Sequence, residues 1–266
     1  MSAKSSTEED TRLQGGSYAK KQLFGASSLL KFSHGGRFKV ARELASMYAG
    51  KRVLDYGCGD GTFLATCKGL YESAVGAEID PHLVTTNRER FAAEKAITYE
   101  HTSSLAKRPA ASFDTVFCME VLEHCTPEVA IDAVAEMRRL VADDGVVIVS
   151  VPIEIGASLV AKQAYRAYAG YRRVNGYESY ERYRTAEMLK MVFAHSQTYI
   201  ERPVYEVAYV DGTPIRYCGH KGFNWRALQQ HLKTLFNVRE TQFSPVPLLG
   251  PLLNAQAWFI CSPLAA

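Results

Sequence analysis

The chain has no Cys-x-x-Cys pair, and its six cysteines, Cys58, Cys67, Cys118, Cys125, Cys218 and Cys261, are scattered. That spacing excludes a disulfide framework or a zinc ribbon and reads as reduced thiols in a reducing compartment. No apolar run approaches the ~20 residues of a membrane span, and the opening MSAKSSTEEDTRLQGG lacks the apolar core of a signal peptide. A cytoplasmic protein is expected. One-sided charge is also missing: 31 Lys and Arg stand against 28 Asp and Glu, a surplus too small to imply a nucleic-acid partner. What is present is an ordinary globular mixture, 47% hydrophobic and 22% charged over 266 residues. Fibrous and wholly disordered classes are excluded, and the length supports a large core without crosslinks.

Residues 1 to about 20 are polar and aperiodic, which predicts a mobile tail without chemistry. The remaining 21–266 read as one domain. From Val53 to Pro152 short apolar runs alternate with helical patterns, the signature of parallel strands joined by crossover helices. Thr126-Pro127 supplies an N-cap with proline at the first helical position, and Asp143-Asp144-Gly145 marks the stop before the next strand. After Pro152 a helix-like stretch from Ile155 to Tyr171 leads into a segment rich in tyrosine; ten of the 15 tyrosines lie between Tyr165 and Tyr217. A helix through Trp225, Leu228 and Leu232 and two strands, NVRETQFSP and AQAWFICSP, follow. The fold expected is α/β, a doubly wound, Rossmann-like, seven-stranded and mostly parallel sheet. Its insertion, at about 155–220 and before the last two strands, is expected to be a helical, Tyr-rich lid over the substrate, beside the carboxyl ends of the strands where such sheets bind ligands.

The run Val53-Leu54-Asp55-Tyr56-Gly57-Cys58-Gly59-Asp60-Gly61 sets a strand before a turn with glycine at alternate positions. Such a turn lets backbone approach a ligand and adopt positive φ. A second strand ends in Glu78, 21 residues after Gly57, where a carboxylate can accept both hydroxyls of a ribose. Thr62 stands where the dinucleotide fingerprint needs its last glycine, which argues against a pyrophosphate cradle.

VLDYGCGDGTFL, AVGAEID, SFDTVFCMEVLEH and DDGVVIVSVP, in this order over roughly residues 37 to 152, resemble the successive motifs of the class I S-adenosylmethionine-dependent methyltransferases. CMEVLEH is similar to the stretch in ubiquinone-type and other small-molecule O-methyltransferases. The resemblance implies that S-adenosylmethionine is the cofactor and S-adenosylhomocysteine the product. It implies that Asp55 and the backbone of Gly57, Cys58, Gly59 and Gly61 hold the methionine part, with no chemistry for the Cys58 thiol. Glu78 would take the ribose diol and Ile79 the adenine face, while Met119 would line the adenosine pocket; both apolar residues serve equally as core. Arg37 would meet the methionine carboxylate. Where the family usually has an acid for the adenine amino group, this chain offers His101, Thr102 and Ser103, and the hydroxyls of Thr102 and Ser103 can accept the same bond.

Methyl transfer from a sulfonium needs alignment and exclusion of water more than a strong base. A hydroxyl acceptor still gains from proton removal, for which His124, preceded by Glu123, is the first candidate and His220 the second. A structural role for His124 carries comparable weight. Glu120, Glu123 and His124 would share a helical face and could hold Mg²⁺, but the same Glu-His pair is common without metal, and no metal site is favoured. Tyr165, Tyr168, Tyr171, Tyr177, Tyr180 and Tyr183, interleaved with arginines, suit either a planar acceptor or an ordinary amphipathic helix.

The leading expectation is methylation of a small-molecule hydroxyl, phenolic, sugar-like or of natural-product type. The alternatives are an N-methyltransferase for an amine or lipid headgroup, with the basic helix from Ile155 to Arg173 on a membrane surface, and a non-catalytic cofactor-binding scaffold. Peripheral membrane contact is not favoured. Cys-Met-Glu-Val after the fourth strand, in place of an Asn-Pro-Pro-Tyr motif, argues against nucleic acid as acceptor.

Overall fold

The computed structural model describes residues 28–173, 180–209 and 212–265, with side chains in the first helix from Arg37 onward. The expected tail, residues 1–20, lies outside the described residues, as does Tyr177. The first half of the chain forms α1 (Ser28–Tyr48), β1 (Arg52–Tyr56), α2 (Thr62–Thr66), β2 (Ser73–Glu78), α3 (Pro81–Arg90), β3 (Ile97–His101), β4 (Phe113–Met119), α4 (Pro127–Leu140) and β5 (Val141–Pro152). There follow α5 (Gly156–Tyr171), α6 (Thr185–Val192), β6 (Val204–Ala208), β7 (Pro214–Cys218), α7 (Trp225–Leu232), β8 (Phe236–Ser244) and β9 (Gln256–Pro263).

Seven strands pair in the order β3-β2-β1-β4-β5-β9-β8. The first five run parallel, and β9 is antiparallel to both β5 and β8. This is the doubly wound, mostly parallel sheet that the alternation predicts. Its central strands are apolar on both faces because helices cover both. Leu54, Val116, Val147, Val149 and Phe259 face Ala133, Val134, Met137 and Leu140 of α4 and Trp225, Leu228 and Leu232 of α7. Their neighbours Val53, Phe117, Ile148, Trp258 and Ile260 face Ala41, Leu44 and Ala45 of α1 and Phe63 and Leu64 of α2. The period of two along each strand thus feeds two cores.

Two expectations change at the level of local structure. Asp143-Asp144-Gly145 does not divide helix from strand: α4 ends at Leu140, Val141 already pairs with Phe113, and a register shift follows before Thr115 pairs with Val146. The two aspartates are exposed within this irregular start of β5. The insertion is also not purely helical. Beyond α5 and α6 it contains an antiparallel hairpin, β6 with β7, in which Tyr205 pairs with Tyr217 and Val207 with Ile215.

Glu154, completely buried after β5, anchors α5 to the sheet. Its carboxylate accepts from Arg166 Nη1 and Nη2 at 3.0 and 2.8 Å and from Lys162 Nζ at 3.1 Å. Burial alone would raise its pKa; Lys162, His220 and Arg166 overcome that and hold it well below the usual carboxylate range. The stabilisation is therefore fully present above pH 4.5, the ordinary glutamate value, and is lost as pH falls below it. Glu154→Gln leaves two partly buried cations without their counter-charge and is expected to cost about 3 kcal/mol at neutral pH. Urea unfolding should show that deficit, and the gap to wild type should narrow below pH 4.5.

Candidate functional site

A cleft of ≈ 670 Å³ opens at the carboxyl ends of β1, β2 and β4. Its walls come from the turn after β1, from Glu78 and Ile79, from the segment Met119–Thr126, from Arg37 and Phe38 of α1, and from Pro214–Tyr217 of β7. No residue of α5 or α6 lines it. The part of the insertion over the cleft is the hairpin rather than the Tyr-rich helix: Tyr168 and Tyr171 are exposed, and the Tyr183 hydroxyl instead accepts from Gly222 N at 2.8 Å.

The glycine turn is shaped by its neighbours. Gly57 has φ +80°, and a Cβ there would lie 2.4 Å from Val121 Cγ2, so the turn after β1 and the loop after β4 meet backbone to side chain. Gly59 has φ +53°, yet a Cβ there would meet nothing within 4 Å. Crowding by protein explains the first glycine and not the second, which faces the open cleft. Gly59 N donates to Glu78 Oε2 at 2.8 Å, and Glu78 Oε1 accepts from Ile79 N and Asp80 N at 2.8 and 3.1 Å. Glu78 thus ties the turn to the end of β2 while one edge still faces the cleft. Asp55 is buried beneath the turn. Burial and then the charges of Glu78 and Asp60 raise its carboxyl to about 8, so this corner of the cleft is short of positive charge.

The other expected contacts are distributed as follows. Ile79 is 43% exposed and lies on the cleft wall with Met119 and Thr102. Ser103 is exposed and outside the lining, its hydroxyl 2.8 Å from His101 Nδ1. Arg37 faces Glu120 at 3.3 Å. Glu120 also accepts from Ser150 Oγ at 3.1 Å and has φ +56°, a conformation costly for a side chain with Cβ and frequent at working sites.

His124 lines the cleft, and His220 packs behind it with ring centroids 5.0 Å apart. His124 Nδ1 lies 3.2 Å from the carbonyl of Cys218. A carbonyl only accepts, so Nδ1 carries the hydrogen and Nε2 keeps its lone pair. Burial and then His220 lower the His124 pKa; with 46% of the side chain open to the cleft, solvent moderates the burial effect. The ring is neutral at pH 7. Glu123 is fully buried, neither carboxyl oxygen has a hydrogen-bond partner among the described residues, and Oε1 lies 3.7 Å from His124 Nε2. Burial and then Glu120 push its pKa far above the usual range. For a cation, Glu120 is already engaged by Arg37 and Ser150. The convergent donors are instead Glu123, His124 and His220, whose ligand atoms all lie within 4.8 Å of one another. One carboxylate and two imidazoles suit a zinc-like ion better than Mg²⁺, which prefers oxygen.

Sequence reasoning missed the hairpin wall, although a signal exists: between the strand-like runs VYEVAYV and TPIRYC the sequence reads Asp-Gly, a dipeptide that hairpin turns favour. Phe38 and Ala41 of α1 were missed because nothing in a helix preceding the motifs announces which face meets a ligand.

A family model described as a methyltransferase domain matches residues 54–149. The chain is 35% identical over 105 residues to the ubiquinone biosynthesis O-methyltransferase of Aromatoleum aromaticum, covering 38% of this chain and 44% of that protein. The match thus spans less than half the length of this relative. Among solved structures, the PH0226 protein from Pyrococcus horikoshii OT3 superposes with a TM-score of 0.57 at 14% identity, covering 93% of this chain and 97% of that one. The N-methyltransferase NodS from Bradyrhizobium japonicum WM9, in complex with S-adenosyl-l-homocysteine, gives 0.53 at 11% identity and 98% coverage of both. At these identities the superpositions establish the fold.

The two glycines should separate on substitution. Gly57→Ala adds a clash to a positive φ and is expected to cost about 3 kcal/mol of stability, whereas Gly59→Ala carries only the backbone term of about 1 kcal/mol. Urea denaturation of the two variants measures the contrast.

Proposed function

Since the chain carries a class I S-adenosylmethionine-dependent methyltransferase domain, we propose that it binds S-adenosylmethionine in this cleft and methylates a hydroxyl of a small molecule. The observation that carries this reading is the layout of the cleft: Glu78 and the glycine turn stand on one side of β1, and neutral His124 stands beyond β4 on the other. Oxygen as acceptor draws support from the relatives named as O-methyltransferases and from the histidine base.

The residues fit such a ligand. Asp55, Glu78 and Asp60 form an acidic corner that an ammonium and a sulfonium would neutralise. Gly59 leaves room for backbone approach, and Ile79 offers an exposed apolar face. When bound, S-adenosylmethionine would supply a methyl group for in-line displacement, the C–S bond breaking as the bond to the acceptor oxygen forms. His124 would take the proton that oxygen loses on Nε2, directly or through one water. The Cys218 carbonyl fixes the tautomer that makes this nitrogen the acceptor. The hairpin wall and Phe38 would exclude water from the reacting centre.

Two measurements test the reading. Before a cation arrives, Asp55 is held protonated up to about pH 8. An ammonium stabilises the carboxylate, so binding should release a proton and affinity should rise from about pH 6 to about pH 8. Calorimetry in buffers of different ionisation heat reads both effects, and tighter binding of NAD than of S-adenosylmethionine would overturn the ligand assignment. His124→Ala should lower kcat by ~10²–10⁴ while leaving S-adenosylmethionine affinity nearly intact. Raising the pH should partly rescue a phenolic acceptor, whose own ionisation replaces the base. A wild-type rate in the variant would return His124 to a structural role.

A further inference from the structure

Helix α5 is apolar on its outer face as well as on its inner one, where Leu159 and Ala169 are buried. Its charged side chains Lys162 and Arg166 turn inward to Glu154. Ala157, Val160, Ala164, Ala167, Tyr168 and Tyr171 are exposed, and their spacing of three and four places them on one outer face. Val160 is 48% and Tyr171 85% exposed.

Residues 246–253, Val-Pro-Leu-Leu-Gly-Pro-Leu-Leu, contain no polar side chain, and they pack at the first turns of α5. There the Ser158 hydroxyl bonds the carbonyls of Pro251 and Leu252 at 2.8 and 2.9 Å. An apolar loop of this composition normally folds its side chains inward. Buried Asn254 prevents that: its Oδ1 accepts from Val246 N, and its Nδ2 donates to the carbonyls of Val246 and Gly250, each at 2.7 Å. Leu248 is consequently held 98% exposed, and Leu252 and Leu253 63% each.

Both elements leave the sheet at one edge. Gln256 pairs with Pro152 at the end of β5 and with Ser244 at the end of β8, so the leucine loop and α5 emerge on the same carboxyl edge as the cleft. Charge along α5 has one sign. No acidic residue lies between Ile155 and Arg173, and Arg172 and Arg173 are exposed at the end of α5. A second copy docked by the same face about a two-fold axis would oppose Arg172 and Arg173 with the same cations.

We propose that the outer face of α5 and the loop 246–253 dock on an anionic phospholipid surface. The leucines enter the interfacial layer, and Arg172 and Arg173 meet the headgroups. The proposal is independent of the methyltransferase reading.

Co-sedimentation of the full chain with phosphatidylcholine vesicles, with and without phosphatidylglycerol, tests it. Binding is expected on the anionic vesicles and should weaken as salt is raised. The double variant Leu248→Glu, Leu252→Glu should lower the partition coefficient at least about tenfold, and Arg172→Glu with Arg173→Glu should remove the preference for phosphatidylglycerol. Leu248→Trp keeps the loop apolar, and its emission should shift to the blue when anionic vesicles are added. No sedimentation of wild type with anionic vesicles, equal sedimentation of the leucine variant, or an unshifted tryptophan would overturn the proposal. So would analytical ultracentrifugation showing a wild-type dimer that the leucine variant loses, since the face would then belong to a second copy. S-adenosylmethionine calorimetry on the same variants is expected to be unchanged and reports separately on the cleft.

Discussion

The cleft exists because β1 pairs with β2 on one side and with β4 on the other. The helix after β1 covers one face of the sheet, and the helix after β4 covers the opposite face. The two connections must therefore part above the strand ends, and the opening they leave is where a doubly wound sheet binds ligands. Gly57, lacking a side chain, lets the connections meet again against Val121. Every other contact at the site hangs from that geometry. Glu78 reaches the turn because β2 is the next strand over, and His124 faces the same space because the segment after β4 turns back under α4.

Two buried glutamates show how far surroundings decide a carboxyl's state. Glu154 and Glu123 are equally inaccessible. Glu154 has Lys162, Arg166 and His220 around it and stays ionised; Glu123 has Glu120 for a neighbour, and Arg37 and Arg202 counter its charge without bonding its oxygens, so burial prevails. They flank the pair of histidines, one beside each. His220 reaches Glu154 through Nδ1 at 3.6 Å, and His124 faces Glu123 through Nε2. The chain thus sets a fixed negative charge on one side of two imidazoles and a carboxyl group that favours its neutral form on the other.

Much of this was legible in the sequence. The apolar runs at Val53, Ala74, Phe113 and Val146 are buried on both faces, as a covered parallel sheet requires; the first three return as strands that start within a residue of those positions, and the fourth starts five residues early, at Val141. Gly57, Gly59 and Glu78 converge at one cleft, as does His124, whereas Gly61 is buried against Tyr99 outside its lining. Tertiary contacts decided the rest. Asp143 and Asp144 look like a helix stop, yet the strand begins before them because Val141 finds Phe113 across the ladder. Tyrosines at spacings near three look like an aromatic lid, yet on α5 the inward face is claimed by Glu154, which draws the cations in and leaves Tyr168 and Tyr171 outside. No local pattern announces a buried acid eight and twelve residues before its partners.

The hairpin of β6 and β7 is attached to the fold by little. All five residues of β6 are exposed, and in β7 only Cys218 is buried, where its amide donates to the His124 carbonyl at 2.8 Å. A segment held by one end can change its length and side chains without disturbing either core. Replacement of Ile215 or Tyr217 would remodel one wall of the cleft while Glu78 and the glycine turn stayed as they are. In descendants of this chain, the hairpin wall can diversify at a rate set by the hairpin alone, while the wall built by Glu78 and the glycine turn is free to remain constant.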